Sequence, residues 1–78
     1  MGKIKILYYG FVTELVGKTF EELDVSEEKT YTLKSILNPI LLPHLGRIFF
    51  LVNDRPAELE HPIRVGDEVK VLPHIGGG

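Results

Sequence analysis

Apolar and polar positions alternate from the first residues of the chain. In Lys3-Ile4-Lys5-Ile6-Leu7-Tyr8-Tyr9, the residues Ile4, Ile6 and Tyr8 share one face and Lys5, Leu7 and Tyr9 the other, the two-residue period of a strand. The second face carries a leucine and a tyrosine, so something other than water is expected to cover it. Gly10 breaks the strand. Residues 11–16 predict a short helical turn closed by Gly17, a natural left-handed stop, with Phe11 and Leu15 packed inward four residues apart. Residues 19–25 predict a second strand whose charges, Glu21, Glu22 and Asp24, form an ordinary solvated surface. Glu27, Glu28 and Lys29 make a polar connection.

The period then changes. Thr32 is a good N-cap, and Leu33, Ile36, Leu37, Ile40 and Leu41 form one apolar stripe, the inner face of a helix. Pro39 conflicts with an unbroken helix, and Asn38-Pro39 reads as a fresh N-cap followed by proline at the first helical position. The pattern predicts a helix ending near Asn38 and a second short turn through Leu42. Residues 47–52 are strongly apolar and predict a central strand. Asn53-Asp54 signals a turn into a short return strand at residues 57–59, and His61-Pro62 starts a loop. Gly66-Asp67 turns into a last strand over residues 68–72, with Val69 and Val71 inward and Lys70 and Leu72 outward. A mixed sheet of four to five strands with one main helix across one face satisfies this order. Its first two strands form a hairpin-like pair, and its last strand lies parallel to the first. That is the α+β architecture of the ubiquitin-like β-grasp, predicted over residues 1–75, with a flexible glycine tail at 76–78.

Composition narrows the chemistry. Seventy-eight residues make one domain, small enough that its core yields only a few kcal/mol net. The 44% hydrophobic and 26% charged residues are those of a globular chain. With no cysteine, disulfides, thiolate metal sites and cysteine nucleophiles are excluded. A net charge of −2 with scattered Lys and Arg argues against a nucleic-acid partner. No apolar run is long enough to span a bilayer and no signal peptide is evident, so a cytoplasmic protein without a membrane partner is expected. His44, His61 and His74 lack ligand spacing and read as surface or turn histidines, with no metal site.

Candidate chemistry therefore gathers at the end of the sequence. Gly76-Gly77-Gly78 follows the last strand almost directly. Glycines leave an α-carboxylate on a backbone without side chains, able to enter a tunnel too narrow for any other residue. From Pro73 onward the segment reaches on the order of 17–20 Å when extended. A frayed end or a cloning scar has the same composition, so the rest of the chain must decide. Leu7, Tyr9 and Leu72 fall on the outward side of neighbouring strands, and Pro56 joins them. Such a patch is either a docking surface or is covered by the protein's own loops. Arg55, Arg64 and Lys70 supply a basic rim for an acidic partner, or ordinary solubilising charge.

Several stretches resemble the small subunit of molybdopterin synthase, the MoaD-like proteins. They are Lys3-Ile4-Lys5-Ile6-Leu7-Tyr8-Tyr9-Gly10, Glu14-Leu15-Val16-Gly17, Val52-Asn53, and His61-Pro62-Ile63-Arg64-Val65-Gly66-Asp67-Glu68-Val69. Pro73 ahead of Gly77-Gly78 completes a collinear set over nearly the whole chain. The thiamine sulfur carrier and the archaeal ubiquitin-like modifiers share the tail. Gly76 stands where relatives often have Thr or Ser, His74 where some have a second proline, and the helical segment near Asn38-Pro39 is shorter than in some.

The resemblance implies a sulfur carrier. A ubiquitin-activating-enzyme-like adenylyltransferase, using ATP, would adenylate the Gly78 carboxylate. Sulfide from a persulfide sulfur donor would displace AMP and leave a thiocarboxylate. The tail would then enter the large subunit of molybdopterin synthase, in a heterotetramer, and pass sulfur to a pterin precursor of the molybdenum or tungsten cofactor. Gly78 would be the catalytic residue and Gly77 would permit its passage. Gly76, Leu7, Tyr9, Pro56, Leu72 and His74 would meet the partner. On this resemblance the chain binds no cofactor and is no enzyme on its own, but the sulfur-carrying subunit of a sulfurtransferase. The same fold and tail also serve a protein modifier joined to lysines through Gly78, or a sulfur carrier for thiamine, tRNA thiolation or cysteine.

Overall fold

The computed structural model describes residues 2–74. β1 (Gly2–Tyr8) and β2 (Phe20–Val25) pair antiparallel, with Ile4 opposite Leu23 and Leu7 opposite Phe20. The short helix α1 (Phe11–Val16) lies between them and ends, as its glycine predicts, on Gly17 in the left-handed region at φ 85°. β3 (Tyr31–Thr32) leads into α2 (Leu33–Ile36) and a run of 3-10 turns over Pro39–Arg47. β4 (Ile48–Val52), β5 (Arg55–Ala57), β6 (Pro62–Ile63) and β7 (Glu68–Pro73) complete the fold. The main sheet has the order β2-β1-β7-β4-β5, with β7 parallel to β1 and antiparallel to β4. β3 and β6 form a separate two-residue ladder. This is a mixed five-stranded, ubiquitin-like β-grasp of the α+β class.

The core follows from the alternation. Ile4, Ile6, Tyr8, Ile48, Phe50, Val52, Val69 and Val71 all point to the inner face and are buried. Val12 from α1, Leu33 and Leu37 around α2, Leu41 and Ile63 close over them. With Val25 of β2, fourteen such residues bury apolar surface that stabilises the fold by roughly 25 cal/mol per Å2.

The helix ends near Asn38 as expected, with Ile36 its last residue and Leu37 its extended cap at ψ 146°, but four other expectations need correction. Asn38 is extended too, as the ring of a following proline requires, and its side chain accepts the Ile40 N–H at 3.0 Å. The turn beyond it continues to Arg47 instead of stopping at Leu42, and its tighter winding turns Ile40 outward, 45% exposed. The uniformly apolar β4 is interior but not central; β7, which bridges β1 and β4, holds the middle. The return strand is Arg55–Ala57 and not residues 57–59, since Asn53 and Asp54, at φ 51° and 67°, make a two-residue hairpin turn that starts pairing at once.

Candidate functional site

The register of the sheet decides which side chains meet on its outer face. Phe20, Leu7, Lys70, Leu51 and Pro56 form a row across β2, β1, β7, β4 and β5, each directly opposite the next. A second row pairs Leu72 with Phe49. Tyr9 continues past β1, its N–H donating to the Val71 carbonyl at 3.1 Å, which places it beside Leu72. Tyr9 is 39% and Phe20 52% exposed, while Leu7, Phe49, Leu51 and Leu72 are half-buried. No helix or loop of the described residues closes over them as the inner layer does. In the opposite direction the same face turns charged, with Glu22 facing Lys5 and Lys5 facing Glu68. The outer face is thus divided, and its apolar half lies toward the C-terminal end of β7.

That end is also where the described chain finishes. β7 runs through Pro73 and hands on to His74, whose N–H donates to the Arg47 carbonyl at 3.0 Å. The His74 ring tilts onto Phe49 at 5.3 Å between centroids. Arg47 lays its guanidinium over the Phe11 ring at 5.0 Å, and His44 meets the edge of the same ring.

Leu7, Tyr9, Leu72 and Pro56 therefore do share one face, and His74 borders it. Gly76, Gly77 and Gly78 lie outside the described residues. Phe49, Leu51 and Phe20 belong to the same patch but were missed. The first two were hidden in Ile48-Phe49-Phe50-Leu51-Val52, where an apolar residue at every position conceals which ones face out. Their signal lay in the alternation: Ile48, Phe50 and Val52 already fill the inner positions. The basic rim is corrected. Lys70 is engaged by Asp54 at 2.6 Å, a hydrogen bond that raises its pKa. Arg55 and Arg64 lie at the other end of the sheet, beside the hairpin turn and the Gly66 turn. Arg47 lies at the C-terminal end of β7, over the Phe11 ring, and the Lys5 ammonium stands over the Phe20 ring at 5.7 Å.

Glu21 is also corrected. It faces inward with Leu23 and Val25, and the Tyr8 phenol donates a hydrogen bond to its Oε2. Burial, then the hydrogen bond, then the negative charge of Glu21 push the Tyr8 hydroxyl above its ordinary value of 10.0. Tyr8 is a neutral structural donor and takes no part in the outer face. Among the described residues no group of three His, Cys, Asp or Glu side chains could hold a metal ion. No helix among them is long and apolar enough to cross a membrane.

The model of the ThiS family matches residues 6–78, from the middle of β1 to the last glycine. The chain belongs to the ThiS family. This places it among small ubiquitin-like carriers and modifiers. No curated protein sequence matches it. Among solved structures, this ThiS-family chain is similar to SAMP1 of Haloferax volcanii, small archaeal modifier protein 1. The two share 22% identity over 99% of this chain and 100% of that one, with a TM-score of 0.78. A putative molybdopterin converting factor subunit 1 from Pyrococcus furiosus is similar at 20% identity, covering 96% and 100% of the two chains, with a TM-score of 0.73. A chain from the complex of subunits 1 and 2 of molybdopterin-converting factor from Helicobacter pylori is similar at 22% identity over 97% and 99%, with a TM-score of 0.63. Identities this low establish the shared fold.

Proposed function

We propose that this ThiS-family chain is a sulfur carrier whose reactive group is the Gly78 carboxylate. One observation supports it above the others. The middle strand of the sheet delivers His74 to the border of the apolar outer half-face, and Ile75-Gly76-Gly77-Gly78 follow it in the sequence. A partner seated on Leu7, Tyr9, Phe49 and Leu72 would therefore receive the last glycines in the same encounter.

The chemistry needs two partner activities. A carboxylate is a poor electrophile, so an adenylyltransferase first joins it to AMP from ATP and releases pyrophosphate. A persulfide on a donor protein then attacks the acyl-adenylate and expels AMP, forming an acyl disulfide, and a thiol reductant cleaves the S–S bond to leave a thiocarboxylate ionised at neutral pH. In the second encounter, within the large subunit of a molybdopterin synthase, the thiocarboxylate sulfur bonds to a carbon of a pterin precursor as an oxygen substituent departs. Water then cleaves the resulting thioester, leaving the sulfur on the precursor of a molybdenum or tungsten cofactor and restoring the Gly78 carboxylate. Gly78 carries the reacting atoms, and Gly77 and Gly76 pass where a Cβ would not. Leu7, Tyr9, Pro56, Leu72 and His74 contribute to docking. The solved complex of subunits 1 and 2 of the Helicobacter pylori factor, one of whose chains has this fold, supports a large-subunit partner.

A residue appended after Gly78 tests the idea. An alanine there, resistant to trimming in the cell, is expected to abolish cofactor synthesis while leaving the melting temperature unchanged, because the addition lies outside the core. Full cofactor synthesis from the extended chain would refute it. Conjugation to lysines through Gly78 is the alternative reading, in keeping with the fold shared with small archaeal modifier protein 1. Gly-Gly remnants on other proteins, found by peptide mass analysis, would distinguish it.

A further inference from the structure

Gly10 sits at the corner between β1 and α1 with φ 58° and ψ −140°, a conformation that side chains rarely adopt. Space is short as well. A Cβ at this position would lie 2.8 Å from Cγ of Pro73 and 3.3 Å from its Cδ. The Pro73 ring thus occupies the place where a side chain on residue 10 would begin. Gly10 is itself held firmly: its carbonyl accepts the Thr13 N–H at 3.1 Å and the Thr13 hydroxyl at 2.8 Å. From the other side, the Arg47 carbonyl holds the His74 N–H, and Phe49 supports the His74 ring. His74 is exposed, yet its backbone and its ring are both held. Here the corner after β1 and the junction before β4 grip two successive residues at the root of the C-terminal segment.

We propose that Gly10 is a positioning residue, and that the clasp it forms with Pro73 sets the direction in which the chain leaves the sheet toward Gly78. The inference rests on the Gly78 chemistry proposed above. Four residues span at most about 13–14 Å. A root pushed aside by a new Cβ is therefore not easily compensated by the segment beyond it, and a misplacement of about 1 Å at a reacting group can cost on the order of 100-fold in rate.

The test compares the full chain with Gly10→Ala, Pro73→Ala and the double variant. Three quantities are measured: hydrogen exchange at the His74 amide, the melting temperature, and the rate at which sulfur is loaded onto the chain end in the native cell. Each single variant is expected to speed His74 exchange about tenfold or more, with β1 and β4 still protected. Sulfur loading is expected to slow by ~10- to 100-fold. The double variant should lose less than the two single losses combined, because the added Cβ no longer meets the Pro73 ring and only the strain of a side chain at φ 58° remains. Additive losses, or normal His74 exchange and normal loading in Pro73→Ala, overturn the clasp. If Gly10→Ala does not fold, Pro73→Ala, which adds no atoms, decides by the same two readouts. If the unaltered chain carries no sulfur at all, the proposed function fails, and His74 exchange still shows whether the clasp exists.

Discussion

At the scale of single residues, the Tyr8–Glu21 pair shows how much a small core depends on one polar contact. Tyr8 is buried on the inner face of β1, and its phenol is satisfied by Glu21. Replacing it by phenylalanine removes the donor but leaves the ring, so a loss of about 1–2 kcal/mol is expected from denaturant titration at pH 7. The same pair has a signature in pH. The phenol titrates near 10.0 in the unfolded chain and higher in the folded one. Above pH 10 the unfolded state has lost a proton that the folded state keeps, so stability must fall as pH rises, by up to about 1.4 kcal/mol per unit. The contribution is whole below pH 10. Tyr8→Phe lacks this titration and should show a flatter stability profile between pH 9 and 11. Parallel profiles for the two proteins would contradict the assigned contact.

At the scale of elements, the helical layer is the weak member. α2 is a single turn, too short to stand without its cap and its contacts. Thr32 accepts the Ser35 N–H while the Ser35 hydroxyl accepts the Thr32 N–H, a reciprocal cap. Thr32→Ala should cost about 1 kcal/mol in thermal or chemical unfolding, and a cost near zero would mean that the cap holds nothing. β1, β2 and β7 were legible in the sequence because a two-residue period survives in fragments as short as Ile4-Lys5-Ile6 and Val69-Lys70-Val71, whereas the two-residue β3 and β6 are too short to show one. The N-cap at Thr32 and the stop at Gly17 were legible for an equally local reason. What the sequence concealed was set by long-range pairing. Nothing local distinguishes β4 from β7 as the middle strand, and nothing within Glu21-Glu22-Leu23 reveals that Glu21 meets a tyrosine thirteen residues away. Ile40 fits the helical stripe on paper, but the stripe loses its period once Pro39 changes the winding.

At the scale of the whole molecule, the division of the outer face is the main feature. Charged pairs occupy one half, and Leu7, Tyr9, Phe49, Leu51 and Leu72, with Lys70 between Leu7 and Leu51, the other, next to where β7 releases the chain. Three of these five apolar residues were legible: Leu7, Tyr9 and Leu72 stood out because they were apolar where alternation called for polar residues. Phe49 did not, since its neighbours on both sides are apolar too. Phe49→Asp puts a charge at the centre of the proposed docking surface without touching the inner core. Its affinity for the large synthase subunit, measured by calorimetry, should fall by roughly 30-fold or more, with the fold retained. Unchanged affinity would place the interface elsewhere.

All of this bears on one atom, the terminal oxygen of Gly78. The most direct measurement is the intact mass of the chain isolated from its own cells during active cofactor synthesis. The account predicts a population in which one oxygen has been replaced by sulfur, located by fragmentation at Gly78. Chains with only an unmodified carboxylate under those conditions would contradict it.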